Sequence, residues 1–219
     1  MKRLLFALIP LMVATFGVSA VLPASAQTQQ QHDWCYADSA TDAQTIEGCT
    51  ALIKAGTLTG PDLAIVYRDR GLSYYHMQQN ELAMADYSQA IGLDPNYAEA
   101  YDDRGIIFSK LGQTDRALEE YNTSIRVKPT FAYAFNNRGN LFFKRGDLAA
   151  ALSDTNQAIT LNSNVGLFYT NRALIYVKLR QCPQAAQDFV SAKHLNRVFT
   201  LTPEVRAACG PVIDAALSR

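Results

Sequence analysis

The chain repeats itself with a period of 34 residues, and that period governs what it can fold into. Tyr67-Arg68-Asp69-Arg70-Gly71 aligns with Tyr101-Asp102-Asp103-Arg104-Gly105, Phe135-Asn136-Asn137-Arg138-Gly139 and Tyr169-Thr170-Asn171-Arg172-Ala173, with no insertion between copies. Each copy then carries an aromatic (Tyr74, Phe108, Phe142, Tyr176) and an alanine (Ala83, Ala117, Ala151, Ala185). A third series follows (Tyr87, Tyr121, Thr155, Phe189), then a small one (Ala90, Ser124, Ala158, Ala192). A unit this short cannot bury its apolar face alone, so copies must stack and share one elongated core.

Within a copy the spacing is helical. Tyr67, Gly71 and Tyr74 share one face of a first helix, and Ala83, Tyr87, Ala90 and Ile91 share one face of a second. Gly112-Gln113 and Gly146-Asp147 supply turns between them. Pro95 and Pro129 end two of the second helices, because proline cannot continue the hydrogen-bond ladder. Gly, Ala or Ser recurs where two antiparallel helices must approach closely, and large aromatics fill the gaps beside them.

In these residues the chain resembles the tetratricopeptide-repeat family, whose signature is a large residue, Gly or Ala, Tyr, Ala, an aromatic, Ala and Pro in sequence. Departures are local: Thr155 replaces an aromatic, and Ser163 and Arg197 stand in place of the closing proline. The resemblance implies an all-α fold, a right-handed superhelix of antiparallel helix pairs with a concave inner surface, used for protein contacts and not for chemistry. The units fall at residues 64–97, 98–131, 132–165 and 166–199, within a repeat region of 63–199.

One series is unusual. Arg70, Arg104, Arg138 and Arg172 occupy a position where such repeats commonly carry an apolar residue, and Asp86, Glu120, Asp154 and Asp188 answer them at a constant offset. The constant offset points to structural ion pairs between the two helices of a copy. The alternative is that the arginines line a ligand groove.

The ends read differently from the middle. Lys2 and Arg3, an apolar run from Leu4 to Val18 and Ala24-Ser25-Ala26 form a secretion signal over residues 1–26, the other reading being a retained anchor. The apolar run is shorter than the ~20 residues a spanning helix needs, so bacterial export to the periplasm or medium is expected. Residues 27–62 hold a polar, loosely ordered lead and a capping helix from Thr41 or Asp42 to Ala55, an unpaired second helix of a degenerate copy. Residues 200–219 hold a C-terminal capping helix from Thr202-Pro203, split or kinked at Gly210-Pro211.

In an exported chain the four cysteines read as disulfides, against reactive or metal-binding thiols, since no C-x-x-C spacing or cysteine–histidine cluster occurs. Pairing by locality joins Cys35 to Cys49 and Cys182 to Cys209, one staple at each end; crossed pairs would span the stack.

Twenty basic residues balance twenty acidic ones, which disfavours nucleic acid and anionic membranes as partners. No nucleophile elbow, zinc-protease, P-loop or dinucleotide-binding pattern occurs, so no catalytic residue, metal or cofactor is assigned. His76, Lys110, Lys144 and Lys178 share one repeat position, either a solvated edge or a row facing an acidic partner. The expected function is that of a scaffold binding a protein or peptide on the concave side. Its groove residues lie opposite the packing face of each first helix: Arg68, Leu72, Tyr75, Asp102, Ile106, Tyr133, Asn136, Asn140, Phe143, Thr170 and Leu174. The alternative is a structural subunit of a cell-envelope assembly that docks through the convex face or the end caps.

Overall fold

The computed structural model describes residues 24–218, so the expected secretion signal lies, up to residue 23, outside the described residues. These residues are helical and form no strand: α1 (Ala24–Tyr36), α2 (Asp42–Ala55), α3 (Gly60–His76), α4 (Asn80–Leu93), α5 (Ala98–Lys110), α6 (Thr114–Val127), α7 (Ala132–Arg145), α8 (Leu148–Leu161), α9 (Gly166–Lys178), α10 (Cys182–His194) and α11 (Pro203–Leu217). From α3 to α10 they pair antiparallel, first helix with second, and each second helix packs on the next first helix. First helices also touch across successive pairs, α5 against α7 and α7 against α9, and so form the inner wall of a right-handed superhelix.

The small series sits where helices meet. Ala83, Ala117, Ala151 and Ala185 are fully buried, as are Ala90, Ser124, Ala158 and Ala192, and the Ser124 hydroxyl is satisfied by the Ala98 carbonyl at 2.8 Å. A methyl group on Gly105 would lie 2.7 Å from the Tyr121 ring, so the ring rests on bare backbone. The turn inside each pair requires a left-handed residue at the same position, φ +73° at Gly112 and +83° at Gly146. Gln78 and Arg180 hold the equivalent places at φ +62° and +60°, where a side chain costs about 1 kcal/mol or more.

Two end segments differ from the sequence reading. The lead before α2 is not loose up to Trp34: α1 forms a full partner for α2, because Gly48 admits the α1 backbone so closely that an added methyl would collide with the Gln31 carbonyl oxygen. The α2 helix therefore is not unpaired. It begins on a capping box in which Thr41 and Gln44 satisfy each other's backbone amides, and ends on Gly56 at φ +65°. At the other end α11 runs unbroken through Pro211, started by the Thr202 hydroxyl and packed on α10. Disulfides Cys35–Cys49 and Cys182–Cys209 tie α1 to α2 and α10 to α11.

Candidate functional site

The arginine series acts inside the stack. Arg70, Arg138 and Arg172 each grip an aspartate of their own second helix by two bonds of 2.7–2.8 Å, to Asp86, Asp154 and Asp188. Arg104 reaches Glu120 by one bond of 2.7 Å. The remaining guanidinium nitrogen donates to the preceding second helix: Arg70 to Thr50 at 3.0 Å, Arg104 to Ser88 at 3.2 Å, Arg138 to Asn122 at 2.7 Å and Arg172 to Asn156 at 2.8 Å. Aromatic rings of the first helix flank each guanidinium, as Phe135 and Phe142 do Arg138 at 5.7 and 5.9 Å. The arginines thus bridge consecutive pairs and are directed away from the groove. Because Thr50 stands on α2, the α1/α2 hairpin stacks as the repeats do.

A second polar row crosses the inner wall. Arg68 donates to Asp103 at 2.6 Å, Asn137 to Asp102 at 2.9 and 3.1 Å, and Asn171 to Asn136 at 2.8 Å. This corrects part of the expected groove: Asp102 and Asn136 are only 3 % and 2 % exposed, consumed by contacts between neighbouring first helices. Burial pushes the Asp102 carboxyl up to about 7, Asp103 adding to the shift while Asn137 and Arg68 oppose it. Asp69 and Asp103 are raised as well, burial again outweighing Arg68. The Thr170 hydroxyl is also occupied, by the Gly166 carbonyl at 3.1 Å.

The other expected groove residues line three cavities along the inner wall. Leu72 and Arg68 lie in a polar one of about 310 Å³ beside Tyr36, Asp42 and His76, where Asp42 meets His76 at 3.0 Å. Tyr75, Ile106 and Asn140 line a central one of about 280 Å³ with Asn137, Lys110 and Lys144. Lys110 stands 5.0 Å from the centre of the Tyr75 ring. Phe143 and Leu174 line the third, about 490 Å³, against Val205 and Ala208 of α11. Tyr133 is 43 % exposed at the start of α7, edge-on to Phe168 at 5.2 Å. The contribution of α11 to the inner wall, and the rows Thr50–Ser88–Asn122–Asn156 and Asp103–Asn137–Asn171, escaped the sequence reading. The second of these rows could have been found by extending the 34-residue register one position past the groove series.

The wall has surfaces for apolar and amide contacts, and among the described residues no group of three or more His, Cys, Asp and Glu is arranged to hold a metal ion. No described helix is long and apolar enough to cross a membrane. Profiles described as TPR repeat match residues 71–112 and 105–146, and one described as tetratricopeptide repeat matches 132–165. Similar solved structures include MamA, at 16 % identity and TM-score 0.57, covering 80 % of this chain and 96 % of that one. A MamA fragment from Desulfovibrio magneticus aligns at 14 % identity and TM-score 0.61, covering 78 % of this chain and 94 % of that one. The first TPR domain of Spaghetti (RPAP3), bound to an HSP90 peptide, aligns at 19 % identity and TM-score 0.52 over 57 % of this chain and 98 % of its own. No curated protein matches the sequence.

Proposed function

This chain is a tetratricopeptide-repeat protein, and we propose that it is a non-enzymatic scaffold, exported to the periplasm or beyond, that holds an extended protein segment on its concave wall. The observation that carries this reading is the central cavity of about 280 Å³, where Tyr75 and Ile106 offer apolar surface beside Asn140. Among the described residues the Asn140 amide makes no hydrogen bond, so both its donor and its acceptor are open to a peptide backbone. Exposed Tyr133 provides a second contact on the same helix. The peptide-bound RPAP3 domain supports this use of the fold. Export rests on the basic and apolar start of the chain and on two disulfides, which persist in oxidising compartments.

Crosslinking in cells followed by partner capture tests the reading. Asn140→Ala and Tyr133→Ala are expected to weaken capture with the fold intact. If they leave capture untouched while changes on the outer helices abolish it, the groove reading fails. A second reading, a structural subunit of an envelope assembly, has one observation in its favour. An open apolar cleft of about 720 Å³ lies between α10 and α11, lined by Pro183, Ala186, Val190, Val212 and Ala216. Val212→Asp would break that contact and leave the groove unchanged.

A further inference from the structure

The inner wall changes its charge along its length. The α3 and α5 helices carry Asp62, Asp69, Glu99, Asp102 and Asp103, whereas α7 and α9 contain no acidic residue at all. In that second half Arg138 and Arg172 are already committed to Asp154 and Asp188. Lys144, Lys178 and Arg180 are exposed and enter no ion pair among the described residues. Lys178 and Arg180 line the cavity of about 490 Å³, whose floor is apolar (Phe143, Leu174, Val177, Val205 and Ala208), whereas Lys144 lines the central one. Glu204 stands at the same mouth and offsets one of the cations, leaving the rim positive.

The cavity is not a product of the repeats alone. Phe143 comes from α7, Leu174 and Val177 from α9, and Val205 and Ala208 from α11, so the capping helix forms one wall. Cys209, next to Ala208, bonds Cys182 at the start of α10 and fixes that wall. Arg180 holds its place on the rim at φ +60°, in the turn where the second and third copies use glycine.

We propose that the cavity between α7, α9 and α11 is an anchor site for an apolar side chain of a partner protein, within an extended segment whose flanking residues are acidic. The apolar floor takes the anchor, and Lys178 and Arg180 take the flanking carboxylates. In the first half of the wall Arg68 is committed to Asp103, so acidic flanks find their free cations at the α7–α9–α11 cavity. This deepens the groove reading and rests on it: the capping helix becomes part of the binding surface as well as a cover for the last repeat.

The test uses the oxidised exported chain and a fluorescein-labelled short peptide with a central Phe between Asp and Glu residues, read by anisotropy. Control peptides replace Phe by Ala, or the acids by Lys. The acidic Phe peptide is expected to bind, more weakly as salt rises, and each control to lose about tenfold or more. Ala208→Phe, which fills the cavity, and Lys178→Glu, which lies on the surface, are each expected to cost about tenfold. Lys178→Glu keeps the test valid should Ala208→Phe fail to fold. No binding, equal binding of the basic peptide, or indifference to Lys178→Glu would overturn the proposal. Partner capture that still depends on Asn140 but not on Ala208 or Lys178 would sink this site alone and leave the groove reading standing.

Discussion

Arg104 meets Glu120 through a single bond of 2.7 Å, whereas Arg138 meets Asp154 through two, of 2.7 and 2.8 Å. The extra methylene of glutamate turns its carboxylate out of register with the guanidinium. Arg104 Nε and Glu120 Oε2 are consequently buried without a partner. Glu120→Asp should restore the two-pronged pair of the other copies and raise stability by about 1 kcal/mol. The check is the urea midpoint at unchanged slope; a lower midpoint would mean the shorter acid falls out of reach.

The Arg138 pair is coupled, and its two members should not be removable independently. Asp154 is 6 % exposed, so Arg138→Ala leaves a nearly buried carboxylate alone and is expected to cost about 3 kcal/mol. Removing Asp154 as well should recover part of that loss, giving a coupling energy of about 1 to 3 kcal/mol in a double-mutant cycle. Full recovery is not expected, because Arg138 also serves Asn122 and lies between Phe135 and Phe142. Strictly additive losses would contradict the coupling.

Stability should fall as pH rises through the weakly acidic range. Asp102 titrates near 7 when folded but near 3.8 when unfolded, so between those values the native state holds more protons. Its contribution is greatest below the unfolded value and is lost as pH approaches 7. Asp69, Asp103 and Glu120 are shifted in the same direction, chiefly by burial. The urea midpoint is expected to be higher near about pH 5 than near about pH 8. Asp102→Asn should flatten that dependence and stabilise the protein at the higher pH by on the order of 2 kcal/mol. A midpoint that climbs with pH would show that Asp102 is ionised in its buried position.

Breaking the C-terminal staple should loosen α11 first. Cys182–Cys209 closes 27 residues, which corresponds to about 3 to 4 kcal/mol of chain entropy. The paired change of Cys182 and Cys209 to Ala is expected to lower stability by that order and to speed amide exchange across α11 before α9. Uniform acceleration along the whole chain would indicate that the staple stabilises the stack as one unit.

The helix pairs were legible because each rests on residue type at fixed spacing: Gly71 and Gly105 can only be bare backbone under Tyr87 and Tyr121, and Pro95 and Pro129 can only end helices. Periodicity also placed Tyr75, Ile106, Asn140, Phe143 and Leu174 on a face that lines cavities. Asp102 and Asn136 were misassigned because periodicity places a residue on a face but does not say how near the next helix stands. Their bonds run to Asn137 and Asn171, thirty-five residues away, one position past the repeat register. The α1 helix escaped for a different reason: its Gln-rich sequence has no apolar stripe, and its partner signal is a lone Gly48 on α2.

A coil of helix pairs would behave as a spring if its joints could slide, but here each joint between repeats has a rail on both sides. On the outer side an arginine spans two successive second helices, as Arg138 does between Asp154 and Asn122. On the inner side the rail changes material, from the ionic Arg68–Asp103 tie to the uncharged Asn171–Asn136 tie. The first tie joins two charges and the second two amides, so the two halves of the inner rail are held by different means.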